Sequence, residues 1–384
     1  MARKSTRNAQ GGGTIRQRPS GRWEARYTVG RDPGTGKQIQ RSVYGSTQKE
    51  VRQKLAQITT DIDKGTYTAP QRMTVGLWLD IWQRDYLGGV KPATATIYRG
   101  NIKNHIKPAL GATRLDQLHP HAVQGFVNSL ELSPASVRLA YKVLHMALEK
   151  AVDLGYIARN PAAKCELPRL EQKEIRPLED QQVAALLTAT KGTDLEYLVR
   201  VAFFTGLRLS ELLGLTWDAV DFHRGTINVN KQLARPEFRA AGPFISPKNG
   251  KSRTISPASS AMAALKHQRA RQAAMQLRAG PLWDSPHNLV FTSELGGAME
   301  QATAEYRFRT LSAAAGLKGV RFHDIRHTYA VNAIRAGDDI KTIQGNLGHA
   351  TAAFTLDRYG HFTERMRQDS AARMEDFIKG VLNL

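Results

Sequence analysis

The sequence predicts a multidomain, mainly α protein with small β elements. Three observations predict it. At 384 residues the chain exceeds one ordinary domain. Apolar residues alternate with a period of two near the N-terminus, whereas residues 74–160 carry stripes of helical period. Polar stretches at 66–72 and 166–177 separate these segments from each other and from a last segment of about two hundred residues, long enough for one large domain.

Taken in order, residues 1–13 end in three glycines and read as a basic arm. Ile15, Trp23, Ala25, Tyr27, Val29, Ile39 and Val43 then fall in short alternating runs broken at Pro19-Ser20-Gly21 and at residues 32–36, which predicts a three-stranded antiparallel sheet over 14–45. Thr47 and Glu50 make a capping box for a helix over 48–63, with Val51, Leu55, Ile58 and Ile62 on one face. This first domain, 1–68, carries Arg16, Arg18, Arg22, Arg26 and Arg41 on its exposed strand faces, and a sheet offering arginines suits a nucleic-acid groove.

The second domain, 74–165, reads as a four-helix bundle. Its stripes are Val75, Leu79, Trp82 and Tyr86; Ile97, Ile102 and Ile106; Val123, Phe126, Val127 and Leu130; and Val137, Tyr141, Leu144, Leu148 and Ala151, with Gly155 as the terminating glycine. Lys91, Arg99, Lys103, Lys107, Arg138 and Lys142 lie off those stripes and are candidates for phosphate contact. Residues 166–177 form the linker to the third domain, 178–384, predicted as mixed α/β and mostly helical.

Charge narrows the function. The net charge is +21, and residues 1–70 alone hold 14 Lys/Arg against 5 Asp/Glu. Residues 71–171 and 172–384 are positive as well, so a polyanion is expected to be met along the whole chain. No apolar run reaches membrane-spanning length, and the basic N-terminus has no apolar segment behind it that would make a secretory signal. The single cysteine, Cys165, excludes an internal disulfide and a cysteine-rich zinc site, which fits a reducing cytoplasm.

Chemistry concentrates in the third domain. Arg208 follows Thr205-Gly206-Leu207 at a helix break, with Glu211 three residues on. Lys248 stands before Asn249-Gly250, a dipeptide that predicts a type I′ hairpin between Ile245 and Ile255. His323 and Arg326 share a helix face, a fork for two phosphate oxygens beside a titratable imidazole. Leu347-Gly348-His349 closes a short helix, and Tyr359 follows ten residues later. Met374, Phe377, Ile378, Val381 and Leu382 form a final amphipathic stripe.

This ordered set resembles the tyrosine recombinase (phage integrase) family, whose signature is an Arg in TGLRxSEL, a hairpin Lys, HxxR, LGH and a Tyr about ten residues further on. The first two domains resemble the family's arm-binding and core-binding domains. The resemblance implies a site-specific recombinase acting on double-stranded DNA. Arg208 and Arg326 would stabilise the charge on the nonbridging oxygens, His349 would hydrogen-bond the phosphate, and His323 would act as base towards the tyrosine. Lys248 would protonate the departing 5′-oxygen, and Tyr359 would form a 3′-phosphotyrosyl bond. Glu211 would orient a basic neighbour. Neither a metal nor ATP is called for. Implied partners are a homotetramer in synapsis, a DNA-bending host factor and a directionality factor, with the tail packing on its own domain or on a neighbouring protomer. Residues 350–354 are less polar than is usual in the family. A resolvase of the same family, a type IB topoisomerase and a DNA-binding regulator with a decayed catalytic set are the alternative readings.

Overall fold

The structure, a computed structural model, describes residues 14–31, 35–64, 73–170, 175–240, 242–247, 250–359 and 374–382. The chain divides into two compact units, Met1–Glu171 and Gln172–Leu384.

In the first unit, β1 (Thr14–Gln17), β2 (Trp23–Arg31) and β3 (Gln38–Gly45) form an antiparallel sheet in the order β1-β2-β3. Its inner face, with Ala25 and Tyr27 at the centre, packs on Val51 and Leu55 of α1 (Gln48–Asp63). Thr47 caps that helix by accepting from the Glu50 amide at 3.2 Å. Cross-strand register corrects one expectation: Arg41 pairs with the inward-facing Tyr27, so it belongs to the helix side of the sheet, whereas Ser42 and Tyr44 lie with Arg26 and Glu24 on the outer face. Arg22 sits in the turn between β1 and β2, outside either strand.

The helical bundle has its own core. α2 (Val75–Asp85), α3 (Pro92–Asn101), α4 (Lys107–Leu110), α5 (Pro120–Ser129) and α6 (Pro134–Asp153) surround Trp78, Leu79, Ile102, Ile106, Leu144 and Leu148. The Trp78 indole N–H donates to the Ala147 carbonyl at 2.7 Å, which satisfies a polar atom in the centre of the bundle. Between α3 and α4 the residues Ile102–Ile106 form a π-helical turn. The second stripe is corrected: Ala95 and Tyr98, seven and four residues before Ile102 at ordinary helical spacing, face the core, while Ile97, five residues before it, lies off that face and is exposed. The residues expected to link the units are partly docked. The Arg138 Nε donates to the Pro168 carbonyl at 2.8 Å, and Leu167 packs on the bundle core.

The second unit is built on α7 (Asp180–Thr190), α8 (Glu196–Thr205), α9 (Leu209–Leu213), α10 (Ser259–Ala279), α11 (Gln301–Ala314) and α12 (Phe322–Ala336), which share one core. β4 (Val220–Asp221), β5 (Thr226–Val229) and β8 (Arg253–Ile255) form one small sheet; β6 (Gln232–Leu233) and β7 (Phe244–Ile245) form another. The expected hairpin is therefore corrected: the strands flanking Asn249-Gly250 exist, but β7 pairs with β6 and β8 with β5. Pro247, which has no amide hydrogen to offer, stands in the connection. α13 (Ile340–Leu347) and α14 (Ala352–Tyr359) pack on the far side of α12 through Val331, Ile334, Ile343 and Leu347. A further helical turn sequence, 374–382, leaves its apolar stripe exposed. No helix among the described residues is long and apolar enough to cross a membrane.

Leu148 is fully buried in the bundle. Its replacement by Ala is expected to lower stability by about 2–5 kcal/mol through lost transfer energy and a cavity, read as a shift of the bundle's urea transition to lower denaturant.

Candidate active site

The site begins at the end of α8. Thr205 folds its hydroxyl back onto the Val201 carbonyl, and Gly206 ends the helix with φ +61°. A Cβ on Gly206 would stand 2.4 Å from the Tyr329 ring and 2.7 Å from Leu347, so both the left-handed turn and the close approach of α12 and α13 require glycine. The carbonyl freed at this turn accepts from the Arg326 Nη1 at 2.7 Å. Leu347, the last residue of α13, accepts from the Nη2 at 2.5 Å. Two helix C-termini thus hold one guanidinium, which is only 3% exposed. Burial, and then the neighbouring Arg208, push its pKa down to about 9, which still leaves it charged at neutrality.

Arg208 stands at the start of α9, where its backbone N–H donates to the Glu211 carboxylate at 3.0 Å and its Nη1 donates to the same group at 2.8 Å. A third arginine completes the arrangement. Arg253 of β8 forks onto both Glu211 oxygens at 3.1 and 2.8 Å and donates its Nε to the Asn346 carbonyl at 2.9 Å. Glu211 is 1% exposed. Burial alone would raise its carboxyl, but the Arg253 fork, the Arg253 charge and Arg208 outweigh that and bring it to about 2.

Gly348 ends α13 with φ +62°, and a Cβ there would stand 2.8 Å from the Arg253 Nη1. The turn delivers His349, whose Nδ1 is 2.9 Å from the Thr355 hydroxyl and whose ring packs against Phe354. The unusually apolar 350–354 segment thus supplies a wall for this imidazole. Burial first, then Arg326 and Arg208, lower His349 to about 3, so it is neutral near pH 7. Arg208, Lys251, Arg253 and His349 together line a cavity of about 420 Å³.

Tyr359, at the end of α14, is 1% exposed and lies parallel to the His349 ring at 6.3 Å. Its hydroxyl is 2.8 Å from the Nδ1 of His327. The family resemblance implies His323 as the imidazole for this hydroxyl, whereas the contact here is made by His327. The two histidines are one helical turn apart on α12, with rings 4.9 Å apart edge to face; His323 is the exposed one and His327 the one turned towards α14. Burial raises the Tyr359 phenol, against the opposing charges of Arg326, Arg358 and Arg208.

The fold therefore brings Arg208, Glu211, Arg326, His349 and Tyr359 into one region. Lys248 lies outside the described residues. Arg253 and His327 were missed. Their only sequence signals were the basic alternation Lys251-Ser252-Arg253 and the i, i+4 spacing of His327 from His323. Among the described residues, no group of three or more His, Cys, Asp or Glu is placed to hold a metal ion.

Of the cations expected at a binding surface, Lys91, Arg99, Lys103 and Lys142 are exposed on the bundle. Lys107 pairs with Asp80 at 2.5 Å, and Arg138 is engaged with Pro168. On the sheet, Arg16 and Arg18 both donate to Glu24, at 2.8 and 2.9 Å, and Arg26 lies 3.6 Å from it. Arg18, then Ser42 and Arg16, hold the Glu24 carboxyl well below the usual carboxylate range.

Residues 176–366 match the family described as "Phage integrase family", and residues 74–131 match "Phage integrase, N-terminal SAM-like domain"; together they span well over half of the chain. A "Tyrosine recombinase XerC-like" protein of Caldanaerobacter subterraneus subsp. tengcongensis is 29% identical over 373 residues, covering 91% of this chain and 95% of that protein. An "Integrase" of Streptomyces ambofaciens is 27% identical over 369 residues, covering 93% and 94%. Among solved structures, the Tn1549 transposon integrase in complex with transposon right-end DNA superimposes with a TM-score of 0.67 at 23% identity, covering 79% of this chain and all of that one. A lambda integrase tetramer bound to a Holliday junction does so with a TM-score of 0.60 at 19% identity, covering 91% and 96%.

Glu211→Gln removes a buried carboxylate and leaves two half-buried guanidiniums short of their counter-charge, and is expected to cost about 3 kcal/mol. The same carboxylate gives a pH signature. Its folded pKa of about 2 lies below the ordinary 4.5, so its stabilisation is complete above that ordinary value and drains as pH falls towards the folded one. It amounts to roughly 3 kcal/mol at neutrality. A thermal midpoint titrated downward from neutral pH should fall more steeply through this window in the wild type than in the Gln variant.

Proposed function

The chain belongs to the phage integrase family, the tyrosine recombinases that cleave and rejoin DNA strands at specific sites, and we propose that it integrates or excises a mobile element through a 3′-phosphotyrosyl bond at Tyr359. The observation that carries this reading is the gathering of the buried Arg326, the half-buried Arg208 and the half-buried, neutral His349 in the region that holds the tyrosine. Attack by the phenol oxygen on a phosphodiester places extra negative charge on the nonbridging oxygens. Arg208 and Arg326 meet that charge with guanidiniums already fixed by Glu211 and by two backbone carbonyls, so little reorganisation accompanies the reaction. His349, tied through its Nδ1 to Thr355, offers its other nitrogen to the same phosphate. Lys248 is proposed as the donor to the departing 5′-oxygen. The phosphodiester energy is kept in the tyrosyl bond, so resealing draws on no nucleotide cofactor.

The DNA is met by more than the catalytic unit. The outer face of the sheet presents Arg16, Arg18 and Arg26 gathered on Glu24, which supports a role in reading arm-type sites. Lys91, Arg99, Lys103 and Lys142 of the bundle are placed to neutralise backbone phosphates at the core site. Synapsis by four protomers is supported by the exposed stripe Met374, Phe377, Ile378, Val381 and Leu382, which is suited to dock on a neighbouring copy. A DNA-bending host factor and a directionality factor complete the proposed assembly.

Covalent capture in cells tests this reading. Protein that remains on DNA under denaturing lysis is isolated and the attached DNA sequenced. Wild type should yield adducts at one or a few loci, and Tyr359→Phe none. Adducts spread evenly over the genome would point to a topoisomerase, and adducts persisting in the Phe variant would remove Tyr359 as nucleophile. Arg326→Ala is expected to slow adduct formation by about 10²–10³-fold at the recovered locus.

A further inference from the structure

The phenol of a nucleophilic tyrosine must lose its proton as the phosphorus–oxygen bond forms, and the structure holds one group against that proton. We propose that His327 accepts the Tyr359 proton during cleavage and returns it during rejoining, an assignment that rests on Tyr359 being the nucleophile. The His327 Nδ1 lies 2.8 Å from the hydroxyl, and both side chains are buried. The other imidazoles are badly placed for this. His349 has its Nδ1 on Thr355 and its ring parallel to the phenol ring, and His323 is exposed and bears on His327 rather than on the tyrosine. The nearby carboxylate, Asp324, is held by Arg321 through both its oxygens.

The groups that face His327 keep it ready to accept. Burial first, and then His323, Arg358 and Arg321, lower it to about 4, with Asp324 opposing, so the ring is neutral at pH 7 and carries a lone pair. Such an imidazole is a weak base towards a resting phenol. Two changes on DNA binding correct the mismatch: the arriving phosphodiester adds negative charge, which raises the imidazole's proton affinity, and the phenol grows more acidic as its oxygen bonds to phosphorus. In balance, the O–H bond of Tyr359 breaks and an Nδ1–H bond forms on His327. The tyrosyl O–P bond forms while the bond from phosphorus to the 5′-oxygen breaks, and that oxygen takes its proton from a separate donor. Rejoining reverses each transfer.

The test uses the full chain and a duplex carrying the locus recovered by covalent capture, with sulfur replacing the bridging 5′-oxygen. A thiolate leaves without a proton, so the remaining pH dependence reports on the accepting side. Single-turnover adduct formation is measured from pH 6 to pH 9 for wild type, His327→Asn and His327→Gln. Each variant is matched for duplex binding and thermal midpoint. Asn keeps a hydrogen-bonding atom near the Nδ1 position but takes no proton in this range. The expected result is a loss of about 10²–10⁴-fold at neutrality in the Asn variant. Its rate should climb with pH as free phenolate takes over, while the wild-type rate stays level. A rate within about threefold of wild type, or a level profile in both amide variants, would overturn the proposal. Adducts formed by Tyr359→Phe on the same duplex would instead overturn the underlying assignment of the nucleophile, whatever His327 does.

Discussion

Like charges drawn into one buried pocket repel, and the second unit draws three guanidiniums together around a single carboxylate. Glu211 takes Arg253 on both oxygens and Arg208 on one, while Arg326 is left to two backbone carbonyls. Nearly every local feature of the site serves that arrangement. Gly206 and Gly348 are the points at which a helix stops abruptly enough to turn a carbonyl or a backbone bend towards an arginine, and both would clash with a neighbour if they carried a Cβ. β8 exists in this position because it pairs with β5, and the pairing sets Arg253 opposite Val229 at the end of the ladder. A carboxylate buried to this degree is costly by itself and is stable only because the forks on it satisfy both oxygens. With three guanidiniums against one carboxylate, the pocket keeps positive charge to spare for an anion.

How much of this was legible in the sequence depended on distance along the chain. Arg208 and Glu211 are three residues apart, and the fold keeps them as a helix start with the acid folded back on the first amide, a purely local event. Gly206 and Gly348 announce themselves as helix stops, which fixed where Arg208 and His349 would emerge. Arg253 could not be read in the same way. It matters because of Glu211, which lies 42 residues earlier in the chain, and strand pairing that no local pattern encodes brings them together. His327 is 32 residues from Tyr359, and only the packing of α14 on α12 shows which histidine of the pair faces it. The hairpin was misread for the same reason. Asn-Gly describes a turn well, but partners for β7 and β8 come from β6 and β5, whose claim depends on the whole unit. In the bundle, Ile97 is five residues from Ile102 and so off its face, and Ala95 and Tyr98, less conspicuous in the sequence, hold the inward positions.

The sheet module repeats the device of the catalytic unit on a smaller scale. Glu24 sits beneath Arg16, Arg18 and Arg26 with Ser42 and Tyr44 completing its hydrogen bonds, so these arginines form an ordered array rather than a set of independent side chains. Ordering before binding removes part of the side-chain entropy that recognition otherwise costs. In a chain with 55 Lys and Arg against 34 Asp and Glu, the acids are scarce. Glu24 and Glu211 are among those that fix where basic groups stand.

This separates two uses of positive charge that net charge alone would merge. The lysines and arginines exposed on the bundle act through the solvent, so their attraction for any polyanion weakens as added salt screens them. Arg326, almost wholly removed from solvent and fixed at both ends of its fork, is screened far less. The two kinds of cation therefore answer differently to ionic strength: salt weakens the field of the exposed ones well before it alters the field around Arg326. A recombinase that has to search long stretches of DNA and react only at its own site benefits from that division, because weak, screened contacts allow it to leave wrong sites while a buried cation such as Arg326 stays fixed throughout.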